Sequence, residues 1–367
     1  MEKFNFFMPT KVVFGQDVVQ QAGADLVLGS KALIVTGRSS AKLSGALDDV
    51  LEVLTTPYVL FAEVENNPTV ETVIRGGQLA REAGCDYVIA IGGGSPLDAA
   101  KVMAVLAVND SYPLEFYKNG WKTPALPLVA IPTTAGTGSE VTQYAVLTIE
   151  EEETKKGLSG PDLFPKVAYL DPKYTSSLPL DVTIDTAVDA LSHLVEGYLS
   201  GRATAASDLV ALQGLALWGT TIRPLKTGDL DDSVRSALLL ASSLGGITIA
   251  QTGTTLVHAL GYPLTYFHDY PHGRANGVLM AEYLRYTHQV APERVETVLE
   301  LLELDSLDDF GDLMDQFFSQ YLGELSLSSE QIQLYASRAT LTRNIANSLG
   351  NPSVEQLTKI LEASIMR

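Results

Sequence analysis

Asp189, His193, His258 and His272 offer one carboxylate and three imidazoles, a donor set able to hold one divalent metal ion, and they include three of the chain's five histidines. Asp189 and His193 stand four apart in TAVDALSHLVEGYL, whose apolar residues recur at helical spacing, so both side chains leave one helix face a turn apart. Taken singly these residues are unremarkable. An Asp and a His at that spacing commonly form only a local pair, and His258, flanked by Leu256, Val257 and Leu260, alone reads as a core histidine. His272 lies in HDYPHGRANG, where Pro271 and Gly273 predict a loop that swings an imidazole toward the helix. With no thiolate in the set, Fe(II), Zn(II), Mn(II) and Ni(II) are all chemically reasonable.

Upstream, two turns have the chemistry of an anion site. DYVIAI runs into GGGSPLDAAK, which sets Gly92, Gly93 and Gly94 between a buried strand and a helix predicted to begin near Ser95. Glycines let a backbone approach a pyrophosphate, and a helix start presents free N–H groups with partial positive charge. The run is neither G-x-G-x-x-G nor a Walker loop, and by itself also fits a plain tight turn. A second turn, PTTAGTGSE over residues 132–140, follows the apolar PLVAI and adds the hydroxyls of Thr133, Thr134, Thr137 and Ser139. Two such turns at the carboxyl ends of neighbouring strands frame one crevice, the usual ligand position in an open α/β sheet. A dinucleotide crevice together with a metal site implies hydride transfer, the metal acting as a Lewis acid on an alcohol or carbonyl oxygen.

The elements that must position these residues fall into two kinds. Over residues 1–180, KALIVTG, DYVIAIGGG and PLVAIPTT read as buried strands. PTVETVIRGGQLAREAG and SPLDAAKVMAVLAV have helical periodicity, with Pro68 and Pro96 near their first turns. Strand, turn and helix in alternation predict a Rossmann-like α/β domain with a parallel sheet. VTQYAVLTI and KVAYLD look extended around EEETKKGLSGPDLFP, which predicts a β-hairpin excursion over residues 141–170. Beyond about residue 181 the β-branched runs stop and successive helical patterns continue to residue 361, predicting an all-helical second domain over residues 181–367.

Composition narrows the function classes. A length of 367 residues suits two domains, and 46% hydrophobic with 19% charged content suits a packed globular chain with no segment read as a membrane span. The net charge of −19, from 44 acidic against 25 basic residues, argues against nucleic acid and anionic membrane partners. The acidic runs at residues 150–153 and 302–315 are expected to be solvated surface. A single cysteine, Cys85, and no signal-peptide pattern at MEKFNFFMPTKVVFG lead to the expectation of a reducing cytoplasm.

GGGSPLDAAK, PTTAGTGSE, VDALSHLVEGYLS and VHALGYPL followed by YPHGRANG resemble the iron-containing (group III) alcohol dehydrogenases, and the similarity runs over essentially the whole chain. The resemblance implies an α/β cofactor domain, an all-helical metal domain, an active site in the cleft between them, and assembly as a homodimer or larger homo-oligomer. The family's ligands fall on Asp189, His193, His258 and His272; iron is implied, with zinc as an alternative. Its diphosphate loop falls on Gly93, Gly94 and Ser95, its nicotinamide-end contact on Asp98, further cofactor contacts on Thr133, Thr134 and Lys155, and an adenine-side asparagine on Asn67.

Two departures alter the expectation. Many NAD-preferring relatives have an aspartate after the strand equivalent to KALIVT, where it binds the ribose 2′-hydroxyl and repels a 2′-phosphate. Here the run is VTGRSS, in which Gly37 lacks that charge while Arg38 and Ser39 supply a cation and a hydroxyl, predicting NADP over NAD with NAD still usable. Tyr262 stands where several relatives have a histidine thought to relay protons, and a tyrosine with a reference pKa near 10 relays poorly at neutral pH. His268 is the expected substitute. Tyr144, Leu191, Thr254, Leu260, Tyr262 and Tyr266 suggest a mostly apolar pocket for a small alcohol, diol or aldehyde. Glycerol dehydrogenase-like and maleylacetate reductase-like activities are close rivals. A dehydroquinate synthase-type lyase would need several basic residues, and the metal-binding segments offer only Arg274.

Overall fold

The structure is a computed structural model and describes residues 3–321 and 325–365. Strands β1 (Lys11–Phe14), β2 (Ala32–Gly37), β3 (Tyr58–Val64), β4 (Tyr87–Gly92), β5 (Leu128–Pro132), β6 (Tyr144–Ile149), β7 (Thr154–Ser159) and β8 (Val167–Leu170) lie in the first half. Six of them form one sheet in the order β1-β8-β5-β4-β2-β3, with every neighbouring pair parallel. In β2, Leu33 and Val35 enter one core while Ala32 and Ile34 enter the other; in β4, Val88 and Ala90 oppose Tyr87, Ile89 and Ile91 in the same way. This two-residue alternation with both faces buried is why the strands read as unbroken apolar runs. From β2 the chain goes to β3 on one side and then to β4 on the other, so the order reverses between β2 and β4, the switch point at which such sheets bind ligands.

Helix α1 (Val70–Ala83) starts at Thr69, whose hydroxyl accepts the Thr72 N–H, and ends at Gly84 in a left-handed conformation. Helix α2 (Gly94–Leu106) follows Gly93 with no side-chain cap, leaving its first N–H groups to other partners.

The expected hairpin exists as β6 and β7, paired antiparallel from Tyr144↔Ser159 to Ile149↔Thr154. KVAYLD is not part of the excursion: β8 enters the parallel sheet between β1 and β5, and its four residues are all buried, as an inner strand requires.

The chain divides after Leu178. Residues 3–7 group with the helical unit rather than with the sheet, as Phe7 N donates to Gln251 Oε1 at 3.0 Å and Gln251 Nε2 donates to Phe7 O at 2.9 Å. The helical unit contains α3 (Leu180–Tyr198), α4 (Ala205–Gly219), α5 (Asp232–Thr252), α6 (Leu256–His268), α7 (His272–His288), α8 (Pro292–Leu301), α9 (Leu307–Phe317), α10 (Ser329–Ala339) and α11 (Val354–Ile365).

Two expectations from composition meet the structure here. Helix α5 has the length and composition of a membrane span, yet 61% of its most apolar window is buried and it packs on α3 and α4, so it is the core helix of this unit. The acidic run at residues 302–315 faces solvent as expected, with Glu303, Asp305, Asp308, Asp309 and Asp312 exposed, while α9 turns Phe310, Leu313, Met314 and Phe317 inward and sets Asp308 and Asp309 in its first turn, where a helix favours negative charge.

Candidate metal centre and dinucleotide turns

Asp189, His193 and Glu196 form an i, i+4, i+7 stripe on α3, buried throughout. Asp189 Oδ1 lies 3.9 Å from His193 Nε2, 4.0 Å from His258 Nε2 and 3.6 Å from His272 Nε2. The Nε2 atoms of His193 and His258 are 3.0 Å apart, and the two rings stack with centroids 4.8 Å apart. Ligand atoms of Asp189, His258 and His272 all fall within 4.8 Å of one another. Only His272 reaches toward the outside, with 24% side-chain exposure against 6% at His193 and 3% at His258. Asp189, His258 and His272 form the mutually close group, His193 joins it through Asp189 and His258, and this carboxylate-and-imidazole set, with no thiolate, fits Fe(II) or Zn(II).

His272 does not sit on a loop. It is the first residue of α7, with Pro271 before it as the cap, the place where a proline starts a helix rather than breaking one. Its neighbours fix it. A Cβ at Gly273 would lie 1.7 Å from the Asp185 carbonyl oxygen, so only glycine lets the start of α7 run this close to α3. Arg274 then donates to Asp185 from Nε at 3.0 Å and from Nη2 at 2.9 Å.

Behind His258, a buried carboxylate completes the arrangement. Glu196 Oε2 bonds His258 Nδ1, and Oε1 accepts from Thr255 N at 2.8 Å, Thr255 Oγ1 at 2.7 Å and Val257 N at 3.1 Å. Burial pushes this carboxyl upward, but the adjoining His258 imidazole and the hydrogen bonds donated by His258 and Thr255 outweigh it and hold Glu196 below the usual carboxylate range.

In the α/β unit the two turns interlock. Gly92 pairs with Pro132 across β4 and β5, and Thr133 N donates to Gly92 O at 2.9 Å. A Cβ at Gly94 would lie 2.5 Å from Thr137 Cγ2, so the close approach of the turns demands glycine there. Gly93 faces Thr134. Ser95 Oγ accepts the Asn67 N–H at 3.1 Å, and Asn67 Oδ1 accepts from Lys155 Nζ at 2.9 Å, which joins three of the expected cofactor residues. Gly37 ends β2, whose Thr36 pairs with Ile91 of β4, so Arg38 and Ser39 leave the sheet beside the glycine turn, both exposed.

Asp98 is held from two sides, by Ser139 Oγ at 2.5 Å and Val146 N at 2.8 Å, and burial pushes its carboxyl up. One turn along α2, the buried Lys101 donates to Ser139 Oγ at 2.8 Å, Thr142 Oγ1 at 3.2 Å and Tyr144 O at 2.6 Å, and desolvation lowers its pKa to about 8.

A family model described as iron-containing alcohol dehydrogenase matches residues 9–172, and that of the Fe-containing alcohol dehydrogenase family, C-terminal, matches residues 183–365. The chain belongs to the iron-containing alcohol dehydrogenase family. It is 30% identical to NADH-dependent butanol dehydrogenase B of Clostridium acetobutylicum over the whole of both chains. With 1,3-propanediol dehydrogenase of Klebsiella pneumoniae it shares 32% identity over 82% of this chain and 79% of the other. Among solved structures it is similar to an iron-containing alcohol dehydrogenase of Thermotoga maritima, at 37% identity, a TM-score of 0.91 and full coverage of both chains.

For this iron-containing alcohol dehydrogenase family member, one expected site residue stands apart from the rest. His268 follows His258 by ten positions on α6, about 15 Å along the helix axis. Its Nε2 lies 2.9 Å from Tyr335 Oη on α10, and burial lowers its pKa, so the structure does not bring it into the cluster as a proton relay. Tyr262 is the aromatic residue at the cluster, stacked on His272 with centroids 5.8 Å apart and edge-on to His258 at 6.3 Å.

The sequence reading also missed residues. Asn276 is fully buried, with Nδ2 3.0 Å from Asp189 Oδ1, 3.3 Å from His258 Nε2 and 3.5 Å from His272 Nε2. Its spacing of four from His272, like the spacing of three between His193 and Glu196 and between Asp98 and Lys101, was the available signal.

Proposed function

We propose that this chain is a metal-dependent alcohol dehydrogenase and aldehyde reductase that moves hydride between NADP(H) and a small alcohol, diol or aldehyde. The convergence of Asp189, His193, His258 and His272 carries this reading. A divalent ion held by these four, iron or in its place zinc, would supply Lewis acidity toward the alcohol or carbonyl oxygen. In this reading the uncapped start of α2, with Gly93, Gly94 and Ser95, receives the diphosphate, while Asn67, Thr133, Thr134 and Lys155 orient the dinucleotide and Asp98 braces the turn that faces it. The rings of Tyr262 and His272 give the substrate an apolar wall and restrict water.

The preference for NADP is supported by Arg38, an exposed guanidinium beside the glycine turn with no ion pair among the described residues, and by Gly37 in place of a carboxylate. The Clostridium acetobutylicum relative is named as NADH-dependent, so cofactor choice is this chain's own property and is tested directly. A lyase acting on a phosphorylated acid is disfavoured, since Arg274, the basic residue of the metal-binding segments, is engaged by Asp185. Homodimer assembly and a reducing, cytoplasmic setting belong to the same reading; Phe14 lies exposed on edge strand β1, and the one cysteine is a buried free thiol.

The test is metal content of protein purified without air, together with rates on 1,3-propanediol and butanal with each cofactor, before and after His258→Ala. About one equivalent of iron or zinc, with activity lost in the variant and NADP(H) preferred, is the expected result. Full activity without bound metal overturns the reading.

A further inference from the structure

We infer that Glu196 is a positioning residue for the metal centre, setting which nitrogen of His258 carries the proton and locking the ring so that Nε2 faces Asp189. The inference rests on the metal reading above. Glu196 is 0% exposed, and each of its carboxylate oxygens has a separate task. Oε2 engages His258 Nδ1, and a carboxylate can only accept there, so Nδ1 carries the hydrogen and the lone pair is left on Nε2. That Nε2 is the atom 3.0 Å from His193 Nε2 and 4.0 Å from Asp189 Oδ1. Oε1 collects the N–H groups of Thr255 and Val257 and the Thr255 hydroxyl, which pins the start of α6, the helix that carries His258. One side chain thereby fixes both the ring's rotation and the backbone it hangs from. Because Glu196 shares α3 with Asp189 and His193, ligands from two helices are referred to one rigid element.

A carboxylate behind a ligating imidazole raises the ring's basicity and fixes its direction, and removing such a partner characteristically weakens metal binding by about 10–100-fold. The experiment measures Co(II) and Zn(II) affinity by chelator competition, and the visible absorption of the Co(II) form, for Glu196→Gln, Glu196→Asp, Thr255→Val and His258→Ala. Glu196→Gln should bind Co(II) about 10–100-fold more weakly and shift its visible bands, because an amide holds the ring less firmly. Thr255→Val removes a hydrogen bond from the same carboxylate without touching the imidazole. It should lower the thermal midpoint but weaken metal binding far less than Glu196→Gln does, with the bands in place, whereas a merely structural role for Glu196 would make the loss of affinity follow the loss of stability in both variants. If Glu196→Gln fails to fold, Glu196→Asp retains the charge but shortens the reach, and should show the same weakening. Wild-type affinity and spectrum in a folded Glu196 variant, with binding lost in His258→Ala, overturn the inference and leave the metal reading standing. Unchanged binding in His258→Ala overturns the metal reading itself.

Discussion

Arg274 and Asp185 form a two-pronged ion pair, with side chains only 7% and 14% exposed, and that pair anchors the start of α7 one residue beyond Gly273 and two beyond His272. The ligand with the most solvent access is thus held by its neighbours rather than by its own burial. Removing one partner of a buried pair costs about 3–5 kcal/mol. Arg274→Leu should therefore lower the thermal midpoint, and Arg274→Lys, which keeps the charge but loses the planar fork, should fall between it and wild type. Both should release metal to a chelator faster than wild type. Scanning fluorimetry and stopped-flow chelation check this, and an unchanged release rate refutes it.

Cofactor choice is predicted to follow the end of β2. A charge-assisted hydrogen bond is worth about 1.5–3 kcal/mol, so Arg38→Ala should raise the KM for NADPH by roughly 10–100-fold. The KM for NADH should hardly move. Gly37→Asp should reverse the preference by placing a carboxylate near the 2′ position. Steady-state kinetics with both cofactors decide it.

The contact between Gly94 and Thr137 predicts a rescue. Gly94→Ala pushes a methyl toward Thr137 Cγ2, the atom only 2.5 Å from the new carbon, and should loosen dinucleotide binding as the turns are forced apart. Thr137→Ser deletes that methyl. The double variant should recover part of the affinity, a non-additivity that nicotinamide fluorescence titration would reveal. Strictly additive losses would refute the steric account.

Lys101 gives a prediction with a definite sign. Its pKa falls from 10.5 to about 8 on folding, so across that window the unfolded chain holds a proton that the folded chain does not. Stability rises with pH wherever the unfolded state binds more protons. Relative to Lys101→Met, wild type should gain about 3 kcal/mol between pH 8 and 10.5. Urea unfolding of both proteins at several pH values tests it, and a flat difference refutes it.

What could be read from the sequence depended on how locally each feature is written. Strands β2, β4 and β5 were legible because two buried faces leave an unbroken apolar run. Edge strands β1 and β3 were missed because each keeps exposed residues, and β8 was assigned to the hairpin because sequence displays a strand but not its neighbours. Asp189 and His193 stood out through chemistry at helical spacing. Glu196 and Asn276 did not, because a glutamate or asparagine within a helix looks ordinary until its partner is known. His268 was chosen for residue type, and only the geometry of α6 carries it away to Tyr335.

Asn67 adopts φ 57°, a left-handed conformation that glycine, asparagine and aspartate tolerate best. Its amide oxygen meanwhile receives Lys155. Glycine would satisfy the backbone and abandon the lysine, and aspartate would keep the acceptor but bring a negative charge toward an anionic ligand. Asparagine alone meets both demands, so this position has almost no neutral path along which to drift.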